Sequence, residues 1–316
     1  LFQEFATVNV SFVEEKRIGS TAFTLVELLA VIAIVVIIEA AILLPALNNA
    51  HQRAMSIGAI NNVRQLVTGW KMYSGDNAGY LPQNRTAEGH PTWCAGQMRA
   101  NQNGIAPSIN LAPYIGVEDY TNSALLMDAS FSQLGSFVRN PKVYLDPGDQ
   151  STWKDPGGVR YARVRSFSMN CAVGADIKDD GSSLGPFGTW RYYQKASDLI
   201  APNPSDLWVF NDEYPDTIND GYFTFVMPVN ANLTTWVDVP GAYHNGAGAF
   251  AFADGHAEMH RWQLPGFFPV VNWNVEQTPF PIRSQSSNIG NNPDILWFAM
   301  HTTALSPSAP PNTYYP

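Results

Sequence analysis

The chain predicts an α+β protein: one long apolar helix near the amino terminus, then a head built on a mostly antiparallel β-sheet with long loops. Three observations predict it. Residues 23–47 form an apolar run of 25 residues whose only charges are Glu27 and Glu39. Beyond it, apolar residues recur at spacings of three and four through Ile57, Ile60, Val63, Leu66, Val67 and Trp70 to about residue 74, the pattern of an amphipathic helix. After that, Gly and Pro are dense and short β-prone runs are bounded by turn residues.

The apolar run comes first. At about 1.5 Å per residue it reaches roughly 37 Å, enough to cross a bilayer core of about 30 Å. Residues 23–47 are therefore expected to span a membrane. A carboxylate in hydrocarbon costs roughly 2.5–3.5 kcal/mol, so Glu27 is expected to have a partner, a cation or the amino terminus of another subunit. Lys16-Arg17 lie upstream and should stay cytoplasmic, which puts the head outside. Small residues Gly19-Ser20-Thr21-Ala22 precede the apolar run. A secretory signal has them after it, so cleavage here would leave the helix on the product.

From Thr21 to Leu47 these residues resemble the type IV prepilin and type II secretion pseudopilin family, whose mature chains begin Phe-Thr-Leu-hydrophobic-Glu. The resemblance implies a leader at residues 1–22 and cleavage between Ala22 and Phe23 by a prepilin peptidase. It also implies methylation of the Phe23 amine, and pairing of Glu27 with the Phe23 amine of a neighbouring subunit. Family leaders usually end in Gly where this one has Ala22. Glu39 is a second departure, twelve residues on and about 120° around the helix from Glu27.

The amphipathic continuation covers residues 48–74. Pro45 should kink or locally open the helix, and Gly58 and Gly69 lower its propensity. Gly75-Asp76-Asn77-Ala78-Gly79 should stop it. Residues 75–316 are then one head domain, and a whole-chain composition of 45% hydrophobic and 14% charged residues is ample to build a core. A net charge of −9 without clusters of Lys or Arg excludes nucleic acid as a partner of the head.

Within the head, Lys142-Val143-Tyr144-Leu145, Leu207-Trp208-Val209-Phe210 and Gly221-Tyr222-Phe223-Thr224-Phe225-Val226 read as strands. One short helix is expected at 108–114, and the Pro-rich stretch 306–311 should be a surface tail. Cys94 and Cys171 either pair outside the cytoplasm or remain two buried thiols. Residues 248–262 carry the strongest hairpin signal, with Asp254-Gly255 as a two-residue turn. That register sets Phe252 opposite Ala257 and Phe250 opposite Met259 on an apolar side. His256, Glu258 and His260 share one face, but two histidines about 13 Å apart cannot share an ion, so a solvated polar face is expected.

His244 and Asp254-Gly255 also match the His-x9-Asp-Gly signature of a large bacterial group of prepilin-like proteins. Further echoes of that group are Asp146-Pro147 to Asp149, Arg165-Ser166-Phe167-Ser168-Met169-Asn170 and Asp212-Glu213. Relatives commonly carry Cys at the position of Asp146. The plain physical expectation is that His244 hydrogen-bonds near the hairpin turn and fixes how the chain approaches it. Asp212, Glu213, Asp216 and Asp220 concentrate oxygen ligands in one loop, a candidate for structural calcium. No cofactor is otherwise required.

No Gly-x-Ser-x-Gly, His-Glu-x-x-His or phosphate-binding glycine loop occurs, and no enzymatic activity is expected. The leading function is a pilin or pseudopilin-like structural subunit of the bacterial inner membrane, amino terminus cytoplasmic, later part of a pilus or secretion pseudopilus in the periplasm or at the cell surface. Its partners would be like subunits, the prepilin peptidase and the inner-membrane assembly machinery. The alternative is a membrane-tethered binder whose aromatic-rich head takes a carbohydrate or another extracellular ligand.

Overall fold

The computed structural model describes residues 24–84, 91–98, 119–154, 158–174, 188–215, 217–230, 233–242, 244–263, 273–275, 292–311 and 313–315. The chain forms two compact units, Leu1–Asn49 and Ala50–Pro316. One helix, α1, runs over Leu25–Asp76 with Pro45 inside it. The helix is unbroken at Pro45, where one backbone hydrogen bond is lost without ending it.

In the first unit the helix is apolar and exposed. Leu25, Val36, Ile37, Leu43 and Leu44 are each more than 60% accessible, and among the described residues this is the one helix long and apolar enough to cross a membrane. In the second unit α1 buries Ala59, Val63, Leu66, Val67, Trp70 and Ser74. This stripe is narrower than the sequence suggests, since Ile57 and Met72 are exposed. The helix stops as expected, with Ala78 at φ +54° and Gly79 at φ +80°.

The head is α+β, with strands β1 Thr152–Lys154, β2 Arg160–Ala162, β3 Phe167–Asn170, β4 Trp208–Asp212, β5 Tyr222–Phe223, β6 Phe225–Asn230, β7 Leu233–Trp236, β8 Ala247–Phe252, β9 Ala257–Arg261 and β10 Asn274–Val275. The main sheet has the order β5-β3-β4-β8-β9. It is mixed: β3–β4, β4–β8 and β8–β9 are antiparallel while β3–β5 is parallel. The run 221–226 divides at Thr224, whose N–H donates to Asp238 Oδ2 at 2.6 Å. Its two parts therefore join different sheets.

Three short α-helices lie in the described head: α2 Ala124–Met127, α3 Gly135–Val138 and α4 Pro293–Thr302. Helix α4 covers one face of the main sheet. Its Phe298 meets Trp208, Phe223, Phe225 and Phe250, with ring centroids 4.8–6.2 Å apart. A bulge between Trp208 and Phe210 sets Trp208 opposite Phe252 and Phe210 opposite Ala251. Phe210 thus turns to the other face, where it packs on Trp93, itself stacked on Tyr144.

One element differs from expectation. Residues 142–145 form no strand: a 3-10 helix, Pro141–Tyr144, occupies this stretch, with the Asn140 side chain accepting from Lys142 N–H. Asn at the cap followed by Pro in the first turn is a helical start. The expected helix at 108–114 lies outside the described residues. The Pro-rich tail is exposed at Pro307, Ser308 and Pro310, though Ser306 N–H is tied to Thr189 O at 2.8 Å.

Candidate functional site

Glu27 finds a partner in its own chain. Thr24 N–H and Thr24 Oγ1 both donate to Glu27 Oε2, at 2.9 and 2.8 Å, while Glu27 N–H donates to Thr24 Oγ1 at 3.2 Å. This is a reciprocal capping box at the start of α1. The Thr-x-x-Glu spacing was legible in the sequence, where Glu27 reads instead as a stranded charge. Ala22 and Phe23 lie outside the described residues.

The acidic loop does not gather as a cation site among the described residues. Asp212 and Glu213 are consecutive residues at the end of an extended strand, so their side chains leave on opposite faces. Glu213 Oε2 accepts from Ser168 Oγ at 2.5 Å, and burial pushes its carboxyl up to about 8 despite the hydrogen bond from Ser168 and the charge of Arg165. Asp220 Oδ1 accepts from Tyr222 N–H at 2.9 Å in a local turn. Asp216 is outside the described residues.

Asp212 instead joins a constellation that sequence spacing hides. Asp146, Asp212 and His244 bring donor atoms within 4.8 Å of one another, and all three are buried. His244 Nε2 stands 2.8 Å from Asp146 Oδ2. On its other side, His244 Nδ1 lies 3.3 Å from Ser56 Oγ of α1. Asp146 is delivered by the turn after the 3-10 helix: its N–H bonds Ser166 Oγ, and its Oδ1 accepts from Gly148 N–H at 2.6 Å. Asp212 Oδ1 accepts from Ala249 N–H of β8 at 2.9 Å.

Two glycines make the room. A Cβ on Gly148 would sit 2.8 Å from His244 Cε1, and one on Gly248 would sit 2.8 Å from Asp212 Oδ1 and 2.6 Å from Gly241 O. Burial alone would lower the His244 pKa, but the hydrogen bond and charge of Asp146, with the charge of Asp212, outweigh it and raise the value above the ordinary one. Burial, then repulsion from Asp146, holds the Asp212 carboxyl well above the usual range.

The hairpin register needs correction. Phe252 N–H donates to His256 O and Gly255 N–H to Phe252 O, each at 2.9 Å, and Gly255 has φ +103°. Ala253-Asp254-Gly255 is therefore a three-residue loop. Phe250 pairs with Glu258 and Ala249 with Met259, one residue from the expected register. The face bearing His256 and His260 is not simply solvated: His260 stacks on Trp297 of α4 with centroids 3.5 Å apart, and Phe252 stacks on His256.

His244 is therefore not at the hairpin tip. The tip is held by Asp254 Oδ1, which accepts from His256 N–H at 2.9 Å and meets His256 Nδ1 at 2.7 Å. Lys71 Nζ of α1 donates to Asp254 O at 2.5 Å. The signature thus fastens both ends of β8 to α1, at Ser56 and Lys71. Those positions are fifteen residues apart, about 22 Å along a helix, while six strand residues span about 20 Å. The nine-residue spacing is the length of that match.

Cys94 and Cys171 are free, buried thiols, each pushed up to about 12 chiefly by burial. Compared with protein-family models, with curated proteins and with solved structures, the chain matches none.

Proposed function

We propose that the chain is a pilin-like structural subunit, held in a membrane by the amino-terminal part of α1 and packed through it against like subunits in a filament. The observation that carries this reading is the exposed apolar surface of residues 25–47. Each fully buried Leu, Ile or Val gains roughly 1.5–3 kcal/mol over exposure, so this surface calls for lipid or for neighbouring helices. The Glu27 carboxylate at its start supplies the polar pairing that would set register between helices. In a filament it would exchange its Thr24 partners for the amine of a neighbouring Phe23.

The tethered-binder alternative draws less support, because five tryptophans that could form a binding surface are spent on the core. Trp70, Trp93, Trp190, Trp208 and Trp262 are all buried. The test is Glu27→Ala with terminal mass spectrometry. The wild-type chain should carry a methylated Phe23 amino terminus and pellet as filaments. The variant should keep a folded head but fail to assemble. An intact leader, or normal filaments from the variant, would sink the reading.

A further inference from the structure

We propose that Asp146, Asp212 and His244 bind one zinc-class divalent ion, a structural centre joining the 146–149 turn, the end of β4 and the loop before β8. This inference is independent of the filament reading.

Two carboxylates and one imidazole share a buried space. With no ion, an imidazolium can neutralise one carboxylate, and the other must hold a proton in a low-dielectric interior. A divalent ion with neutral imidazole brings the sum to zero. Asp212 Oδ2 is a fully buried carboxylate oxygen that accepts no hydrogen bond. Its companion Oδ1 is already engaged by Ala249 N–H, so Oδ2 is the oxygen left over for a ligand.

The protonation of His244 Nδ1 is set by Ser56. Ser56 Oγ donates its proton to Gln52 O at 2.9 Å. Towards His244 it can only accept, so Nδ1 carries a proton. Nε2 faces Asp146 Oδ2 at 2.8 Å, a contact that needs a cation or a second proton between the two atoms. A ring whose outer nitrogen donates to a polar group while the inner one faces carboxylates is the usual arrangement of a metal-bound histidine.

The donor set selects the ion. Calcium takes six to eight oxygens and magnesium keeps near-octahedral oxygen coordination, whereas one imidazole with two carboxylates suits zinc, with a fourth position open. Ligands of a tetrahedral zinc at about 2.0–2.1 Å stand about 3.3 Å apart. The Asp146–His244 contact would open by about half an ångström, and Asp212 would draw inward.

The experiment uses the full chain in detergent, stripped with a chelator and then loaded with Zn2+ alone, or with Co2+ as a spectroscopic probe. The expected result is one zinc per chain retained through desalting, with visible d–d bands from Co2+ that one equivalent of Zn2+ abolishes. Asp212→Asn and His244→Gln should lose that equivalent. Ser56→Ala, which removes only the outer partner, should weaken affinity about 10- to 100-fold. Asp254→Asn at the hairpin tip should leave it intact. Absence of zinc and of cobalt bands in the wild-type chain overturns the proposal whether or not the variants fold. So does an unchanged equivalent in Asp212→Asn and His244→Gln.

Discussion

His260 makes the head sensitive to acid. Its ring lies flat on Trp297, 3.5 Å between centroids and 15° between planes, with Phe250 and Trp262 edge-on at 6.1 and 4.7 Å. His260 Nε2 is buried without a hydrogen-bond partner. Burial lowers its pKa to about 4, with the charge of Asp294 acting the other way. In the unfolded chain the imidazole titrates near 6.5. Because the folded value is the lower one, its contribution is present above about pH 6.5 and is lost as pH falls through about 4.

A gap of about 2.5 units corresponds to about 3 kcal/mol at most. The ring is only partly buried, so solvent screens the charge, and a cation over Trp297 recovers part of the cost. The expected loss is therefore about 1–2 kcal/mol. Denaturant unfolding at pH 7 and 4.5 should show His260→Phe losing that much less stability than wild type on acidification. The imidazole Cε1 proton followed by NMR should titrate near 4. Titration near 6.5, or an equally steep loss in the variant, refutes the reasoning.

Two further outcomes concern the core. Trp208 is fully buried, its ring touches Phe223, Phe250 and Phe298, and its Nε1 donates to Thr302 Oγ1 at 3.0 Å. Trp208→Ala should cost about 3–5 kcal/mol in denaturant unfolding, and a loss below about 1 kcal/mol would mean that α4 does not seal that face. Gly174 has φ +69°, and a Cβ there would lie 1.9 Å from Pro82 O. Gly174→Ala adds roughly 1–2 kcal/mol of left-handed strain to a backbone clash, so its melting temperature should fall by several degrees; an unchanged one would refute this placement.

What the sequence revealed followed from local signals. Helix α1 was legible from its apolar period, strand β4 from a β-prone run bounded by turn residues, and the β8–β9 hairpin from its Asp254-Gly255 turn. The hairpin register was not, because Asp254-Gly255 fits a two-residue turn as readily as the last two positions of a three-residue loop. That single residue moves every cross-strand pair. Helix α4 and the 3-10 helix at Pro141–Tyr144 carry only a local signal, an Asn cap followed by Pro. Both are too short for a period to show.

The acidic loop misled for the opposite reason. Neighbours in sequence are separated by the pleat, so Asp212 and Glu213 serve different faces. The Asp146, Asp212 and His244 constellation joins residues 66 and 32 positions apart, and only the sheet order and the docking of α1 bring them together. No local pattern could have grouped them.

The two fastenings of β8 to α1 have a mechanical consequence. Ser56 and Lys71 hold the strand at opposite ends of its length, so tension entering along the helix axis loads β8 lengthwise. Its ladder to β4 and β9 is then strained in shear, with many bonds sharing the force, instead of being peeled open one at a time. Each rivet is a single hydrogen bond, so under load it would give way before the strand began to slide.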